Sequence, residues 1–569
     1  MKKLKRICQA GVVALGLLFS VDQAFSQTIS AHYFGENAWM PDAIGDVNNC
    51  VEPPCQFNGK LHQQWQNIKQ SNAVLIRYGG IAADNNRPTN AQYIRIIDSV
   101  RSNGMEPVIQ VPFKNWRYSA QQAADIVTYL NITMGKNIKY WIIGNEPDLG
   151  YSYTTASQIA AYTKPFATAM KNVDPNILII GPELASFNKT IIDGLTTPGG
   201  PNDITGKDAS GRYYIDVFSF HTYPFNGSQN RADVISNLTS ANRLQDNLIY
   251  LNGRIANCNS HHNRTGNAKI KTAITEANIN WQNNSGDNLY GLGANSFIGG
   301  QFVAEMLCIG LKNNVDFVNI WSVVEGNNTA SSIGYIDPST GNKKPLYHHF
   351  KMLAENFKGT YADGISNVPN VKTFGSKNGQ EVSVLIMNQD LAVNYNYKVS
   401  LSSNTIAGNI PLKINIDAGV SAEYTDAIAS QSTVVLTFNS AGTLIKKTEY
   451  SLTGHAASNQ PPTVTNYIST GVASNGSIDN RPFEIKNVFP NPTVGRFTIE
   501  LNKGNVLEKN FNIQIFNIIG QQVYNKDMSF VSGKEQVELP PSMASGQYIV
   551  RVKEQDKDNY MIRKLILEK

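Results

Sequence analysis

From residue 28 to about 355, short apolar runs alternate with stretches in which apolar positions recur at helical spacing. The strand-like runs are Thr28–Phe34, Ala73–Tyr78, Glu106–Val111, Tyr140–Gly144, Ile177–Gly181, Tyr214–His221, Ile270–Glu276 and Asp316–Trp321. A helical pattern follows each one: 61–71, 91–103, 119–134, 155–172, 188–195, 229–256, 293–314 and 347–357. Strict strand–helix alternation requires parallel strands joined by right-handed crossovers. Eight such units predict an α/β fold, a (β/α)8 TIM barrel over 28–357. The rival, an open doubly wound sheet, wants a glycine-rich phosphate loop after its first strand, and Gly35-Glu36-Asn37-Ala38-Trp39 is not one.

Beyond the barrel the period shortens to two. Glu381–Met387, Tyr395–Leu401, Pro411–Ile416 and Ser432–Phe438 alternate between Asn, Gly and Ser turns, predicting a small β-sandwich over 360–450. Residues 451–482 are rich in Ser, Asn, Thr, Gly and Pro without periodicity, and read as a flexible linker. Residues 483–569 are β-patterned again, an immunoglobulin-like β domain.

The 569 residues are too many for one core. Lys2, Lys3, Lys5 and Arg6 precede an apolar run from Ala10 to Phe19, and Ala24-Phe25-Ser26 ends it. This order predicts a signal peptide over 1–26, too short to span a bilayer. No later stretch is long and apolar enough to cross a membrane, so the mature protein is expected to be soluble. The formal charge is +5, and without the four leader cations and Asp22 it falls to about +2. A near-neutral chain without basic blocks excludes nucleic acid as a partner. Cys8 leaves with the leader; Cys50 and Cys55 bracket a short Pro-containing loop and predict a local disulfide in an oxidising compartment. Cys258, His261 and His262 lack a second ligand pair at zinc spacing and read as an exposed polar loop, while Cys308 reads as a buried thiol.

Candidate chemistry stands at two strand ends. Trp141-Ile142-Ile143-Gly144-Asn145-Glu146-Pro147 closes the fourth strand, and Thr275-Glu276-Ala277-Asn278 closes the seventh. Barrel chemistry sits where strands end. Glycosidic cleavage needs two carboxyl groups flanking the bond, one to protonate the leaving oxygen and one to attack the anomeric carbon. Glu36, Asp84, Asp148, Glu183 and Glu325 are rival strand-end acids. Glu183 in Gly181-Pro182-Glu183-Leu184 is the strongest. Strands four and seven face one another across the mouth, which favours Glu276; Asp148 and Glu183 then read as substrate hydrogen-bonders or solvent-facing acids.

At these residues the barrel resembles clan A of the retaining glycoside hydrolases. The resemblance implies that Glu146 is the acid/base, Glu276 the nucleophile, and Asn145 the partner of the sugar 2-hydroxyl. Arg77 in Arg77-Tyr78-Gly79-Gly80 resembles the clan's arginine that holds the nucleophile ionised. His221 and Tyr223 in Phe220-His221-Thr222-Tyr223-Pro224 are expected to line the cleft, and Trp321 to stack under the sugar beside the cut. No metal or organic cofactor is implied. Trp39, Trp116, Tyr151, Tyr153, Trp281 and Tyr290 in the strand-end loops suggest a cleft for a chain. Arg77-Tyr78-Gly79-Gly80 with the following sandwich resembles the clan's endoglucanase and heparanase-like branches, which implies an endo-acting, endoglucanase-like enzyme on a polysaccharide. A heparanase-like β-glucuronidase is the alternative within the clan, with Lys114, Arg117 and Arg212 as candidate cations. An inactive surface glycan-binding protein is the alternative of another class; retention of Glu146, Glu276, Asn145 and Arg77 counts against it. A metal-dependent hydrolase is disfavoured because His261-His262 and His348-His349 sit off the strand ends.

The last block carries Val488-Phe489-Pro490-Asn491-Pro492, Gly495-Arg496-Phe497, Phe516-Asn517-Ile518-Ile519-Gly520-Gln521, Gly546-Gln547-Tyr548-Ile549-Val550-Arg551-Val552 and Arg563-Lys564-Leu565-Ile566. It resembles the C-terminal sorting domain of the type IX secretion system of Bacteroidetes bacteria. That resemblance implies the secretion machinery as a partner and a secreted or outer-surface location. The default oligomeric state is a monomer.

Overall fold

A computed structural model describes residues 27–38, 61–85, 87–284, 286–325, 333–337, 340–402, 406–467, 484–502, 510–517, 521–530, 533–554 and 560–569. The expected signal peptide, the Cys50–Cys55 pair and Trp39 lie outside them. The chain divides into two compact units, Met1–Ser469 and Thr470–Lys569.

The first unit opens with a closed parallel barrel of β1 (Phe34–Asn37), β2 (Leu75–Tyr78), β3 (Glu106–Val111), β4 (Tyr140–Ile143), β5 (Leu178–Leu184), β6 (Val217–Thr222), β7 (Lys271–Ala277) and β8 (Phe317–Ile320). β8 pairs back onto β1. The helices start where side chains cap them: Thr89, Ser119 and Thr155 each form a capping box with a glutamine three residues on. Several expected elements differ in their bounds, two of them with a clear cause or break. The first strand begins at Phe34 instead of ending there, because Thr28 bridges to Thr360 and a turn at Ser30 precedes the barrel. The helix expected over 229–256 divides into Arg231–Ser236 and Leu244–His261, joined through a short 3-10 turn at Asn237–Thr239.

Strand periodicity explains why this barrel has an apolar floor and a polar mouth. Leu75, Val108, Val217 and Phe317 belong to one buried apolar cluster with Tyr140, Ile142, Ile180 and Ala273. Two residues further along the same strands, on the same face, stand Arg77, Gln110, Ser219 and Asn319, all buried. Two strands break that period. In β7 the pairing passes from Phe220–Ile274 to His221–Glu276, so Thr275 is an extra residue. In β5 the register shifts between Gly181 and Leu184. Such bulges re-aim side chains at barrel rims, and they deliver Glu276 and Glu183 to the mouth.

The sandwich packs a six-stranded sheet, running from Thr463–Asn466 to Thr360–Ala362, with a four-stranded sheet of Gly364–Ser366, Leu412–Ile416, Tyr395–Ser400 and Glu423–Ile428. It therefore continues to Asn466, and the linker expected from 451 is corrected. Thr463–Asn466 pairs as an edge strand with Leu444–Ser451, and its four side chains are exposed, so no apolar alternation marks it. Barrel and sandwich share buried polar contacts: the Gln301 amide donates to the carbonyls of Asn388 and Ser432, and the His349 ring bonds Thr433 Oγ1 at 2.9 Å.

The second unit has its own apolar core around Ile485, Phe497, Phe511, Val550 and Leu565, between sheets of three and four strands. Among the described residues, no helix is long and apolar enough to cross a membrane.

Candidate active site

Arg77 is the centre of the barrel mouth. It is fully buried, and its guanidinium reaches four neighbours: Nη1 donates to Asn37 Oδ1 at 3.0 Å and Glu276 Oε1 at 2.9 Å, and Nη2 donates to Asn145 Oδ1 at 2.8 Å and Glu183 Oε2 at 2.9 Å. One rigid fork thus fixes residues from β1, β5, β7 and the turn after β4. Glu276 receives a second donor on its other oxygen, the Tyr223 hydroxyl at 2.7 Å. His221 is equally buried; Nδ1 lies 2.9 Å from Glu146 Oε1 and 3.6 Å from Glu276 Oε2, and Nε2 lies 3.3 Å from Glu183 Oε2.

Glu146 and Glu276 face one another at short range. Oxygens of both carboxylates and a ring nitrogen of His221 lie within 4.8 Å of one another. The donor set does not suit a cation. Both ring nitrogens of His221 face carboxylates, and Arg77 already holds Glu276 Oε1. Trp321 stands beside them: a Cβ on Gly80 would lie 2.8 Å from Trp321 Cη2 and 3.8 Å from Glu276 Oε1. All seven expected site residues therefore meet at the barrel mouth.

Glu183 is corrected: it is fully buried, neither solvent-facing nor open to a ligand. Besides Arg77 and His221 it accepts from Thr275 Oγ1 at 2.8 Å, and its carbonyl accepts the Glu146 amide at 3.0 Å. Its backbone holds φ +59, and Glu146 holds φ +45, both in the left-handed region. Of the other rivals, Asp84 and Glu36 are buried, and Asp148 and Glu325 are half-buried. Buried Asp84 caps the Phe113 and Lys114 amides, Glu36 bonds Ser71, Asp148 accepts from the Ala185 amide, and Glu325 accepts from Trp321 Nε1. Cys258 is also corrected: it is buried on a helix, its thiol facing the Thr196 carbonyl. Asn37 and Gln110 escaped the sequence reading. Their signal was their place two residues beyond an inward apolar position, or at a strand's last residue.

The electrostatics follow from this wiring. Burial pushes Glu183 up, but the Arg77 charge and the His221 hydrogen bond outweigh it and hold the carboxyl at about 2. Burial pulls His221 down, but Glu276 and the hydrogen bonds to Glu146 and Glu183 lift it to about 10. Burial also raises Glu146, yet His221 and Arg77 bring it below the ordinary glutamate value. Glu276 lies above that value, because burial and the Glu146 charge outweigh His221 and Arg77.

Beside Tyr223 a polar groove of about 520 Å³ runs past Asn226, Gln229, Asp233 and Arg243 to Trp281. Trp116, Trp281 and Tyr290 are exposed, whereas Tyr153 is buried and bonds Asn115, and Tyr151 packs against Phe113.

Residues 487–568 match the family of the secretion system C-terminal sorting domain. The C-terminal block is a type IX sorting domain, and the protein is secreted or held at the cell surface. No curated protein matches the sequence. Among solved structures, a Paenibacillus polymyxa xyloglucanase from glycoside hydrolase family 44 is 14% identical, with TM-score 0.48, over 73% of this chain and 98% of its own. A Clostridium acetobutylium family 44 endoglucanase is 15% identical, with TM-score 0.47, over 72% and 96%. A bacterial orthologue of human α-L-iduronidase is 12% identical, with TM-score 0.46, over 95% and 98%.

Proposed function

We propose that this protein is a retaining glycoside hydrolase that cleaves β-linked polysaccharide by double displacement, with Glu146 as acid/base and Glu276 as nucleophile. The observation that carries the reading is the close approach of the two carboxylates, within 4.8 Å. Retaining enzymes hold the pair about 5 Å apart, whereas inverting ones leave about 6.5–9.5 Å for a water. Glu276 attacks the anomeric carbon while Glu146 protonates the leaving oxygen. Glu146 then takes a proton from the water that releases the glycosyl-enzyme. Arg77 and Tyr223 donate to both Glu276 oxygens and hold the attacking carboxylate ionised and aimed. Asn145, itself anchored by Arg77, is the partner for the sugar 2-hydroxyl, and Trp321 supplies the stacking face.

The groove past Tyr223 and the exposed Trp281 support an endo-acting enzyme with room for a chain beyond the cut. A uronic-acid preference gains nothing from Arg212. That residue precedes β6, bonds Asp208 and the Lys171 carbonyl, and so belongs to the opposite end of the barrel.

The test is reducing-sugar release from a panel of β-glucans, xylan, mannan and glucuronan-type chains, comparing wild type with Glu276→Ala and Glu146→Ala. Release from one glycan, abolished in both variants, is the expected result. Activity that survives Glu276→Ala overturns the nucleophile assignment. Binding without cleavage in the wild type turns the reading to a glycan-binding protein.

A further inference from the structure

We propose that Glu183, His221 and Glu146 form a proton relay, in which His221 stores the proton that the general acid delivers and Glu183 is the positioning residue that keeps it there. The purpose of the relay rests on the glycosidase reading; the existence of a stored proton does not.

The geometry leaves little freedom. Nδ1 of His221 faces Glu146 Oε1 at 2.9 Å and Nε2 faces Glu183 Oε2 at 3.3 Å. Against an ionised Glu146 a neutral imidazole would set one lone pair on a carboxylate, and against a protonated Glu146 it would accept at Nδ1. The imidazolium facing an ionised Glu146 and the neutral ring facing a protonated one thus differ only in which side of the 2.9 Å contact holds one shared proton. Only the imidazolium donates to both. The ring has no exposure to water, so Nε2 has no alternative partner there.

Arg77, Glu146, Glu183 and Glu276 surround the ring, and moving the proton between Nδ1 and Oε1 leaves the net charge of the cluster unchanged. The Glu183 anion against Nε2 is what favours the ring as its resting place. Asp148 and the Tyr223 hydroxyl complete the ionisable groups around His221, and Tyr162 lies near Glu183. Glu183 cannot serve as an acid in the cleft because it is sealed off, yet its charge is present in every step. It supplies the permanent anion that makes a buried imidazolium stable.

The relay solves a difficulty in the acid assignment. Glu146 is held ionised in the free enzyme, and an ionised carboxyl has no proton to give. When Glu146 passes its proton to the leaving oxygen, that proton is the one that moved from His221 Nδ1 to Glu146 Oε1. The N–H bond at Nδ1 breaks, the O–H bond at Oε1 forms, and a neutral imidazole remains with Nε2–H still donating to Glu183. The return path recharges the ring when Glu146 takes a proton from water in the second half-reaction. No outside donor is required.

The experiment follows the His221 ring by NMR in the full-length protein, labelled with ¹³C/¹⁵N-histidine and assigned by the signal lost in His221→Asn. In wild type, His221 is expected to stay doubly protonated beyond pH 9. In Glu183→Gln its midpoint is expected to fall by about 1–3 pH units, as when an opposite charge is removed at contact range, and Glu183→Asp is expected to recover most of it. On the active glycan, Glu183→Gln should lower kcat and move the alkaline limb of the pH profile down with KM little changed. An aryl glycoside whose leaving group needs no proton should react nearly as in wild type. A wild-type His221 that deprotonates below pH 8 overturns the relay without any variant, and so does an unchanged midpoint in folded Glu183→Gln. Because the ring titration is read without turnover, a protein inactive on every glycan still tests the stored proton.

Discussion

The Tyr223 hydroxyl donates to Glu276 Oε2 at 2.7 Å, on the oxygen that Arg77 leaves free. Hydrogen bonds to a charged acceptor contribute about 1.5–3 kcal/mol. Tyr223→Phe is therefore expected to lower kcat/KM by about 10–100-fold while the thermal unfolding midpoint stays near wild type. A variant as active as wild type would show that Glu276 does not depend on this donor.

Arg77 is expected to matter as much for folding as for chemistry. Replacing it by methionine leaves Glu183 and Glu276 buried without their shared cation. Breaking one side of a buried charge network costs about 3–5 kcal/mol. Urea unfolding of Arg77→Met should show a loss of that size. A loss below about 1 kcal/mol would mean the carboxylates find other partners.

The pH dependence has a definite sign at each end. Glu276 must be ionised to attack, and its value lies above the ordinary 4.5. The acid limb of kcat/KM is therefore expected above that of a free glutamate, activity falling as pH drops through the raised value. Stability follows two other groups. Glu183, held at about 2 against 4.5, contributes stability that is present above 4.5 and lost as pH falls towards 2. His221, raised from 6.5 to about 10, contributes stability that is full below 6.5 and lost as pH rises through 10. Unfolding midpoints measured from pH 3 to 11 should peak between about 4.5 and 6.5; a maximum well above 6.5 would contradict the His221 assignment.

Gly80 sits at φ +94 with Trp321 against it, and a Cβ there would come 2.8 Å from Cη2 of that ring. Gly80→Ala is expected to push the indole out of place beside Glu276. Misplacement of about 1 Å costs on the order of 100-fold in rate. Steady-state kinetics and near-ultraviolet circular dichroism would separate this from unfolding, and unchanged kinetics would mean the ring does not contact the sugar.

The barrel was legible because its period is simple. Apolar runs placed the eight strands, and strand ends placed Glu146, Glu276, Arg77 and His221. Glu183 was visible as a strand-end acid, but its burial was not, because burial depends on two bulges. An extra residue in β7 and a slip in β5 decide which side of the sheet a side chain faces. Neither leaves a mark in one-dimensional spacing. The edge strand Thr463–Asn466 escaped for a related reason: it is held mainly by backbone pairing, with its side chains exposed, and backbone pairing carries no side-chain signature.

The contact between barrel and sandwich bears on how such proteins can be recombined. Gln301 spends its amide on two sandwich carbonyls, and His349 on a sandwich threonine. A barrel grafted onto a foreign β-module would bring those groups to a surface with nothing to receive them, and each unmet polar group costs about 1–3 kcal/mol. The barrel of this chain is thus not a cassette that ends at its last helix. A functional graft has to carry the sandwich with it, through residue 466.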